Sequence, residues 1–241
     1  DSAGNSAGAA GPSATFDVDN TAPTISIGVP SKNLTTGGPI TFSISYADAN
    51  TVMLTDGDIA LVSTGTATGT ATVTNGSTNN PTVTISAITG DGTLGISIDA
   101  GTATDSAGND ASATGPSTTF MVDNTDPVAT MDSLLTSNTT PSLTGTLTDT
   151  TAVTLNVTVD GQEIVADVIA DSWTATVPAP LAEGVYAVTL DATDGAGNAA
   201  SNTVDMGLTV DFTAPVVQVD LTTTKTVPPI VGGTVEDANL V

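Results

Sequence analysis

Side chains that offer oxygen atoms recur in three kinds of short segment. One is a linker of the form V-D-x-T-x-P, one follows an apolar strand-like run, and one is a turn of the form D-x-A-G-N. The segments supply three sets of candidate metal ligands: Asp19, Asn20, Asp48, Asn50, Asp105 and Asn109; then Asp123, Asn124, Asp149, Asp194 and Asn198; then Asp211 and Asp237.

Carboxylates and amides of this kind suit a hard divalent cation. Calcium takes six to eight oxygen ligands in a flexible geometry, whereas several carboxylates brought together without a cation repel one another. A simpler interpretation remains open, because Asp and Asn are also good turn formers. Turn preference explains each residue singly, but it does not explain why the same three segments recur together.

The composition excludes several kinds of function. The chain carries 26 acidic residues against two basic ones, Lys32 and Lys225, for a net charge of -24. It has no Arg, so binding to nucleic acid or to an anionic membrane surface is not expected. It also has no His or Cys, which removes the commonest general base and the best thiol nucleophile. We therefore expect no enzymatic activity.

Internal repeats set the organisation of the chain. Residues 1–23 match residues 105–127 nearly one for one, and residues 194–215 are a looser copy. The segments TTPSLTGTLTD at 139–149 and VPPIVGGTVED at 227–237 form a second repeated pair. The repeating unit is about 90–100 residues long, the size of an immunoglobulin-type sandwich.

Within each unit the apolar residues alternate with a period of two, which predicts β-strands. Clusters of Gly, Asn, Asp and Pro separate about seven such runs per unit, and no run has a helical period. The predicted fold class is all-β, with tandem immunoglobulin-like antiparallel sandwiches in a rod-like array. The predicted second unit includes a hairpin turn at Asp160-Gly161, a core position for Trp173, and a tyrosine corner at Tyr186.

The repeats predict domain boundaries. Residues 1–22 are expected to be the last hairpin or strand of a preceding repeat, 23–125 and 126–213 two whole repeats, and 214–241 the first strands of a following repeat. In such a sandwich the entering linker, the loop after the second strand and the loop before the last strand lie at one end. The three candidate ligand segments are therefore expected to meet at each junction and to bind calcium there.

The combination of D-x-A-G-N and V-D-x-T-x-P resembles the tandem bacterial immunoglobulin-like repeats of giant surface adhesins, including their extender regions. The resemblance covers the whole chain. It implies an extracellular, cell-surface stalk that calcium stiffens and that holds an adhesive tip away from the cell. At the third linker Phe212 stands where the other copies have Asn, which leaves Asp211 as the sole acid of that linker.

The leading functional hypothesis is a structural spacer whose partners are neighbouring repeats of the same chain. Other copies in a fibre, or a ligand at the distal tip, are further possible partners. Two alternatives stay open: a filament or coat subunit that exchanges strands between copies, and a module that binds glycans or a neighbouring cell. The second is weakened by the scarcity of aromatic residues, which make up 3% of the chain. No segment is apolar for long enough to insert in a membrane.

Overall fold

The computed structural model describes residues 2–8, 10–220, 223, 225, 227–228 and 231–237. Its contacts divide the chain into two compact units, one of Asp1–Asn33 with Gly37–Val122 and one of Leu34–Thr36 with Asp123–Val241. Within the described part, the only regular secondary structure besides β-strands is a 3-10 turn at Asp56–Asp58. No helix there has the length and apolarity needed to cross a membrane.

The first sandwich has two four-stranded sheets and a small two-stranded ribbon, and it includes the short strand Leu34–Thr35, which the contacts group with the second unit. Its strands are β1 (Thr24–Ile27), β2 (Leu34–Thr35), β3 (Ile40–Ala47), β4 (Thr51–Val52), β5 (Ile59–Ser63), β6 (Thr68–Thr74), β7 (Thr82–Thr89), β8 (Gly92–Ile98), β9 (Ala103–Thr104) and β10 (Phe120–Val122). The sheet orders are β1-β3-β7-β6 and β2-β10-β8-β5, and β4 pairs with β9.

The second unit repeats this plan with one more strand. Its strands are β11 (Val128–Ala129), β12 (Leu134–Thr136), β13 (Ser142–Thr148), β14 (Thr154–Val159), β15 (Gln162–Val165), β16 (Asp167–Ile169), β17 (Ser172–Thr176), β18 (Gly184–Thr193), β19 (Ala199–Val210), β20 (Val216–Val219) and β21 (Gly233–Glu236). The sheet orders are β11-β13-β17-β16 and β12-β19-β18-β14-β15, and β20 pairs with β21.

These orders are those of an immunoglobulin-like sandwich, in which the first strand divides between both sheets. The predicted alternation explains why the strands form: on β13, Leu143, Gly145 and Leu147 are buried while Thr144 and Thr146 between them are exposed. Each unit has its own apolar core, built mainly of Val, Ile and Leu. The all-β, immunoglobulin-like fold class predicted from the sequence is therefore confirmed.

Trp173 anchors the core of the second unit, as predicted. Its side chain is 1% exposed, and its indole N–H donates to the carbonyl of Thr130 at 2.8 Å. Gly145 makes room for this contact, because a Cβ there would collide with both the Thr130 oxygen and the indole nitrogen. A glycine is thus required where the first strand of the repeat passes over the tryptophan.

Two turns predicted from the sequence are also present. The Tyr186 hydroxyl donates to the carbonyl of Ala182 at 2.9 Å, which is the hydrogen bond of a tyrosine corner. Asp160 and Gly161 join β14 to β15 with φ angles of 49° and 72°. Positive φ at both central residues is the signature of the tight hairpin turn that Asp-Gly favours.

Other elements differ from the sequence prediction. The alternating runs did not reveal β5 and β6. β5 is a short continuous apolar run without a period of two, and in β6 Thr alternates mostly with the small residues Gly and Ala. The expected strand in residues 1–22 is absent from the described part of that segment, where Phe16 and Val18 are 83% and 72% exposed. The assignment of this segment to a preceding repeat, like the other domain boundaries, stays a prediction from the sequence.

We expect Trp173→Ala to lower the free energy of unfolding of the second unit by about 3–5 kcal/mol, the usual cost of removing a large buried aromatic. A domain of this size is stable by about 5–15 kcal/mol, so this loss removes much of its stability. Calorimetry should show the second unit melting earlier and the first unit unchanged. Melting at the parental temperature would contradict the core position of Trp173.

Candidate metal centre

Asp123 follows directly after β10 and is almost fully buried, with 1% of its surface exposed. Its backbone N–H donates to the carbonyl of Thr35 at 3.0 Å. One carboxylate oxygen accepts the N–H of Thr125 at 3.1 Å, and the other accepts the hydroxyl of Thr150 at 2.8 Å. The linker carboxylate is therefore held in one orientation and shielded from water.

Asp149 follows β13 and presents one oxygen that no protein group satisfies. Its Oδ1 accepts the N–H of Thr151 at 2.7 Å and the hydroxyl of the same residue at 3.2 Å. Its Oδ2 is buried and has no hydrogen-bond partner among the described residues. A buried carboxylate oxygen without a donor is costly, and this oxygen is available to bind a cation.

Asp194 lies in the D-x-A-G-N turn between β18 and β19. Its Oδ1 accepts the backbone N–H groups of Gly197 at 2.6 Å and Asn198 at 2.8 Å, and its Oδ2 accepts the side-chain amide of Asn198 at 2.7 Å. Burial acts to raise the pKa of Asp194, but these hydrogen bonds outweigh it and hold the pKa below its ordinary value. The carboxylate is therefore kept ionised and ready to bind a cation.

Asn198 links this turn to the linker. Its side-chain nitrogen also donates to the backbone carbonyl of Asp123 at 2.9 Å. Both partners of the amide are acceptors, so the NH₂ group must face them. In this position Asn198 orients two of the acids of the site.

The three acids meet. Asp123, Asp149 and Asp194 each offer one oxygen atom, and these atoms lie within 4.8 Å of one another. Three carboxylates at this spacing could hold a metal ion. Their all-oxygen chemistry suits a hard divalent cation.

The corresponding residues of the first unit share part of this arrangement. The amide of Asn109 donates to the carboxylate of Asp105 at 2.7 Å and to the backbone carbonyl of Asp19 at 3.0 Å, as Asn198 does in the second unit. Hydrogen bonds to Asp105, first from the Asn109 side chain and then from the Asn109 backbone N–H, hold the pKa of Asp105 below its usual value. Asp48 and Asn50 are exposed, and the described residues of this unit form no group of three acids within metal-binding distance.

The remaining candidates are placed as follows. Asn20 and Asn124 are exposed, while Asp211 and Asp237 are partly buried. None of these four belongs to the group of three acids found in the described part of the chain. Their metal binding stays a prediction from the sequence.

The structure also explains the linker motif V-D-x-T-x-P. In all three copies the aspartate accepts the backbone N–H of the threonine two residues on, at 2.9 Å for Thr21, 3.1 Å for Thr125 and 3.0 Å for Thr213. This is an Asx turn, which fixes the direction in which the carboxylate points. The threonine is thus part of the positioning of each linker acid.

Sequence reasoning missed Thr150 and Thr151, which hold Asp123 and Asp149. The available signal was the run Asp149-Thr150-Thr151, because a hydroxyl residue two positions after an aspartate commonly bonds to it. That rule accounts for Thr151. The contact of Thr150 with Asp123 joins residues far apart in the sequence, so it needed the structure.

The second unit matches a known protein family. Residues 125–212 match the family model of a bacterial Ig-like domain. This agrees with the sandwich seen in that unit, and together with the fold of the first unit it supports tandem immunoglobulin-like repeats. Domains of this kind are typically structural modules. None of the curated proteins compared with the chain matches it.

Several solved structures resemble the chain loosely. An I-band fragment of titin, I67-I69, is 15% identical, with 90% of this chain and 77% of that chain covered and a TM-score of 0.49. Fibronectin(III)-like modules of Clostridium thermocellum CbhA are 18% identical, with 77% of this chain and 93% of that chain covered and a TM-score of 0.35. The Yersinia pseudotuberculosis adhesin InvE is 17% identical, with 75% of this chain and 58% of that chain covered and a TM-score of 0.27. Similarity as low as this says nothing about function.

We expect Asn198→Ala to lower the free energy of unfolding of the second unit by about 1.5–3 kcal/mol, because it removes a hydrogen bond to a charged, buried carboxylate. Urea denaturation in the presence of a chelator measures this cost. The matched control is Asn156→Ala, on the exposed face of β14, where truncation should change stability by about 0.5 kcal/mol or less. Equal costs at the two positions would mean that Asn198 does not hold the site together.

Proposed function

We propose that the chain is a spacer segment of an extracellular bacterial surface protein, stiffened where calcium holds the linker between its repeats. The observation that carries the proposal is the group of Asp123, Asp149 and Asp194, with the unsatisfied Oδ2 of Asp149 among them. The fold supports a structural role, because it consists of successive sandwiches. Calcium is favoured because it accepts a site built largely of protein oxygens, whereas magnesium usually keeps several waters.

The chain provides few other ways to neutralise the site. Two lysines are its only basic residues, against 26 acids. Three carboxylates within 4.8 Å repel one another by a few kcal/mol per pair at an effective dielectric constant near 20. A bound cation reverses the sign of this interaction, so the geometry of the site depends on the ion.

Stiffening follows from where Asp123 lies in the chain. It is the residue after Val122, the last residue of β10, while Asp149 and Asp194 lie in two loops of the second unit. An ion bound to all three fixes the start of the linker to those loops. The backbone rotations that would let the chain swing as it leaves β10 are then restricted.

The same proposal covers the surroundings of the protein. A spacer of this kind lies outside the cell and contacts neighbouring repeats of its own chain, with a fibre of several copies or a ligand at a distal tip as further partners. It performs no catalysis and binds no nucleic acid. The lack of His, Cys and Arg is the chemical basis for both expectations.

The metal site predicts that Asp149→Asn stabilises the protein in a chelator but loses the stabilisation that calcium gives the parent. In a chelator the variant should be more stable than the parent, because two of the three like-charge pairs are removed. In calcium the parent should gain about 2.7 kcal/mol at one hundred times the dissociation constant, and the variant should gain little. Calorimetric titration should give a dissociation constant of about 10⁻⁴–10⁻³ M for the parent.

The control for charge is Asp191→Asn, since Asp191 is an exposed acid on β18 of the same unit. This variant should respond to calcium as the parent does. Calcium-dependent stabilisation that survives in Asp149→Asn would place the ion elsewhere, and the proposed site would have to be abandoned.

The spacer role predicts that calcium restricts the linker without creating the fold. Small-angle scattering should show a narrower distribution of interatomic distances in calcium than in chelator, while the β-sheet circular dichroism stays the same. The reason is that about 2.7 kcal/mol per site can fix a linker but is small beside the terms that fold a sandwich. Asp149→Asn should not respond. Identical scattering in both conditions, from protein shown to be metal-free in chelator, would refute the stiffening.

A further inference from the structure

The first sandwich has an open sheet edge where the second sandwich has a further strand. In the second sandwich β14 pairs with β18 on one side and with β15 on the other. The strand at the same place in the first sandwich is β5, which pairs with β8 and, among the described residues, with no strand on its other side. The chain forms no hairpin there, because it passes from β5 into β6 of the other sheet.

The open side of β5 presents backbone groups that have no strand beside them. The N–H of Thr64 donates to the carbonyl of Thr93 at 3.0 Å, so the even-numbered residues of this stretch face β8. The backbone groups of successive strand residues point in opposite directions. Those of Leu61 and Ser63, and the carbonyl of Ile59, therefore point away from β8 toward the open edge.

The side chains of β5 show the same opening. On β14 the core-facing residues Leu155 and Val157 are completely buried. On β5 the core-facing residues Ile59 and Leu61 pack against the core but stay only partly buried. A strand laid beside β5 would remove apolar surface of both residues from water, which is favourable.

This side of the first sandwich also lacks the charges that usually protect a sheet edge. Residues 59–90, which include β5, β6 and β7, contain no Asp, Glu, Lys or Arg, although the chain has a net charge of -24. The corresponding outer strands of the second sandwich carry Glu163 on β15 and Asp167 on β16. Charged side chains on an edge strand oppose its pairing with another chain, so the second sandwich is protected and the first is not.

We propose that the open edge of β5 is an interaction surface for a second copy of the chain, whose own β5 pairs with it antiparallel about a two-fold axis. Leu61 then lies opposite Leu61 of the other copy, and Ile59 lies opposite Ser63. A second copy fits because it carries the same open edge, so one contact completes a sheet in both chains. It also brings no acid into the contact.

This register keeps the nearest acids apart and pairs the free backbone groups. The Asp58 residues that precede the two strands lie at opposite ends of the pair, about 20 Å apart at 3.4 Å per residue, which exceeds the Debye length of about 8 Å. The two Leu61 residues exchange two hydrogen bonds, and each Ser63 N–H donates to an Ile59 carbonyl. The Ile59 N–H is already bonded to the carbonyl of Asp56.

The contact is short, so one pair of chains associates weakly. Many chains held side by side on one surface would associate more strongly, because each contact raises the effective concentration for the next. The pairing goes beyond the proposed spacer function and does not use its metal site.

Sedimentation of the whole chain over a range of concentrations tests the pairing. The measurement is made in chelator at about 1 M salt, where the Debye length of about 3 Å screens the charge of the chain. The parent should form dimers. Ser63→Pro should dimerise about thirtyfold more weakly than Ser63→Ala, because the proline removes two bonds between the copies and each is worth roughly fivefold. The two variants should melt at similar temperatures, because the Ser63 N–H faces away from β8.

A pair of acid substitutions gives a second test, which decides the matter if Ser63→Pro does not fold. Ala60 is exposed on β5, and Ser45 is exposed on β3 of the other sheet. Ala60→Glu and Ser45→Glu add the same charge. Ala60→Glu should weaken dimerisation strongly, because it brings two like charges into the contact, whereas Ser45→Glu should dimerise like the parent.

Cross-linking tests the antiparallel register. The chain has no cysteine, and the register places Ala60 opposite Val62 of the other copy in a non-hydrogen-bonded pair with Cα atoms about 4.5 Å apart, within reach of a disulfide. Two Ala60 residues are diagonal neighbours, about 7–8 Å apart. With oxidised glutathione, a mixture of Ala60→Cys and Val62→Cys chains should therefore form disulfide dimers much faster than either variant alone.

The proposal is abandoned if the parent stays monomeric in high salt, or if the paired variants dimerise alike. It is also abandoned if each cysteine variant cross-links alone as fast as in the mixture, which is the result expected for copies joined through β6 or another surface. These outcomes are independent of the calcium site, because the measurements are made in chelator. Failure of the calcium response would leave them unchanged.

Discussion

Each of the two sandwiches has one apolar core, with no disulfide between its two sheets, and this core positions the loops of that sandwich. The cores form because apolar residues alternate along the strands, so that one face of each sheet packs against the other. The loops at the end of the second sandwich then bring Asp149 and Asp194 to the linker residue Asp123. The acids have little freedom to move apart, because neighbouring threonines and Asn198 hold them.

The regular parts of the fold could be predicted from the sequence. Strands β3, β13 and β14 have clear period-two alternation, and Asp160-Gly161 and Tyr186 have local signatures. Strands β5 and β6 could not be recognised, because β5 is apolar without alternation and β6 has only small residues and one Val between its threonines. Pairing partners, and above all the parallel pairing of β12 with β19, depend on contacts between distant residues and leave no local pattern.

The candidate site was predictable as a set of segments but not in its details. Repetition identified the linker, the loop after the second strand and the D-x-A-G-N turn, and in the second unit their three acids meet. Among the described residues of the first unit the same segments do not gather three acids, and both Asp19 and Asp48 are exposed there. The asparagines of the turn donate to the acids and to the linker backbone, a role that the residue type alone does not distinguish from metal ligation.

The single tryptophan has a spectroscopic consequence. Trp173 is the only indole of the chain, it is buried in the second core, and its N–H is bonded to the first strand segment of that repeat through Thr130. Its emission therefore reports on the second sandwich alone, and separation of that segment from the core changes the polarity around the ring directly. The protein carries a built-in label that distinguishes one repeat from the other without any added dye.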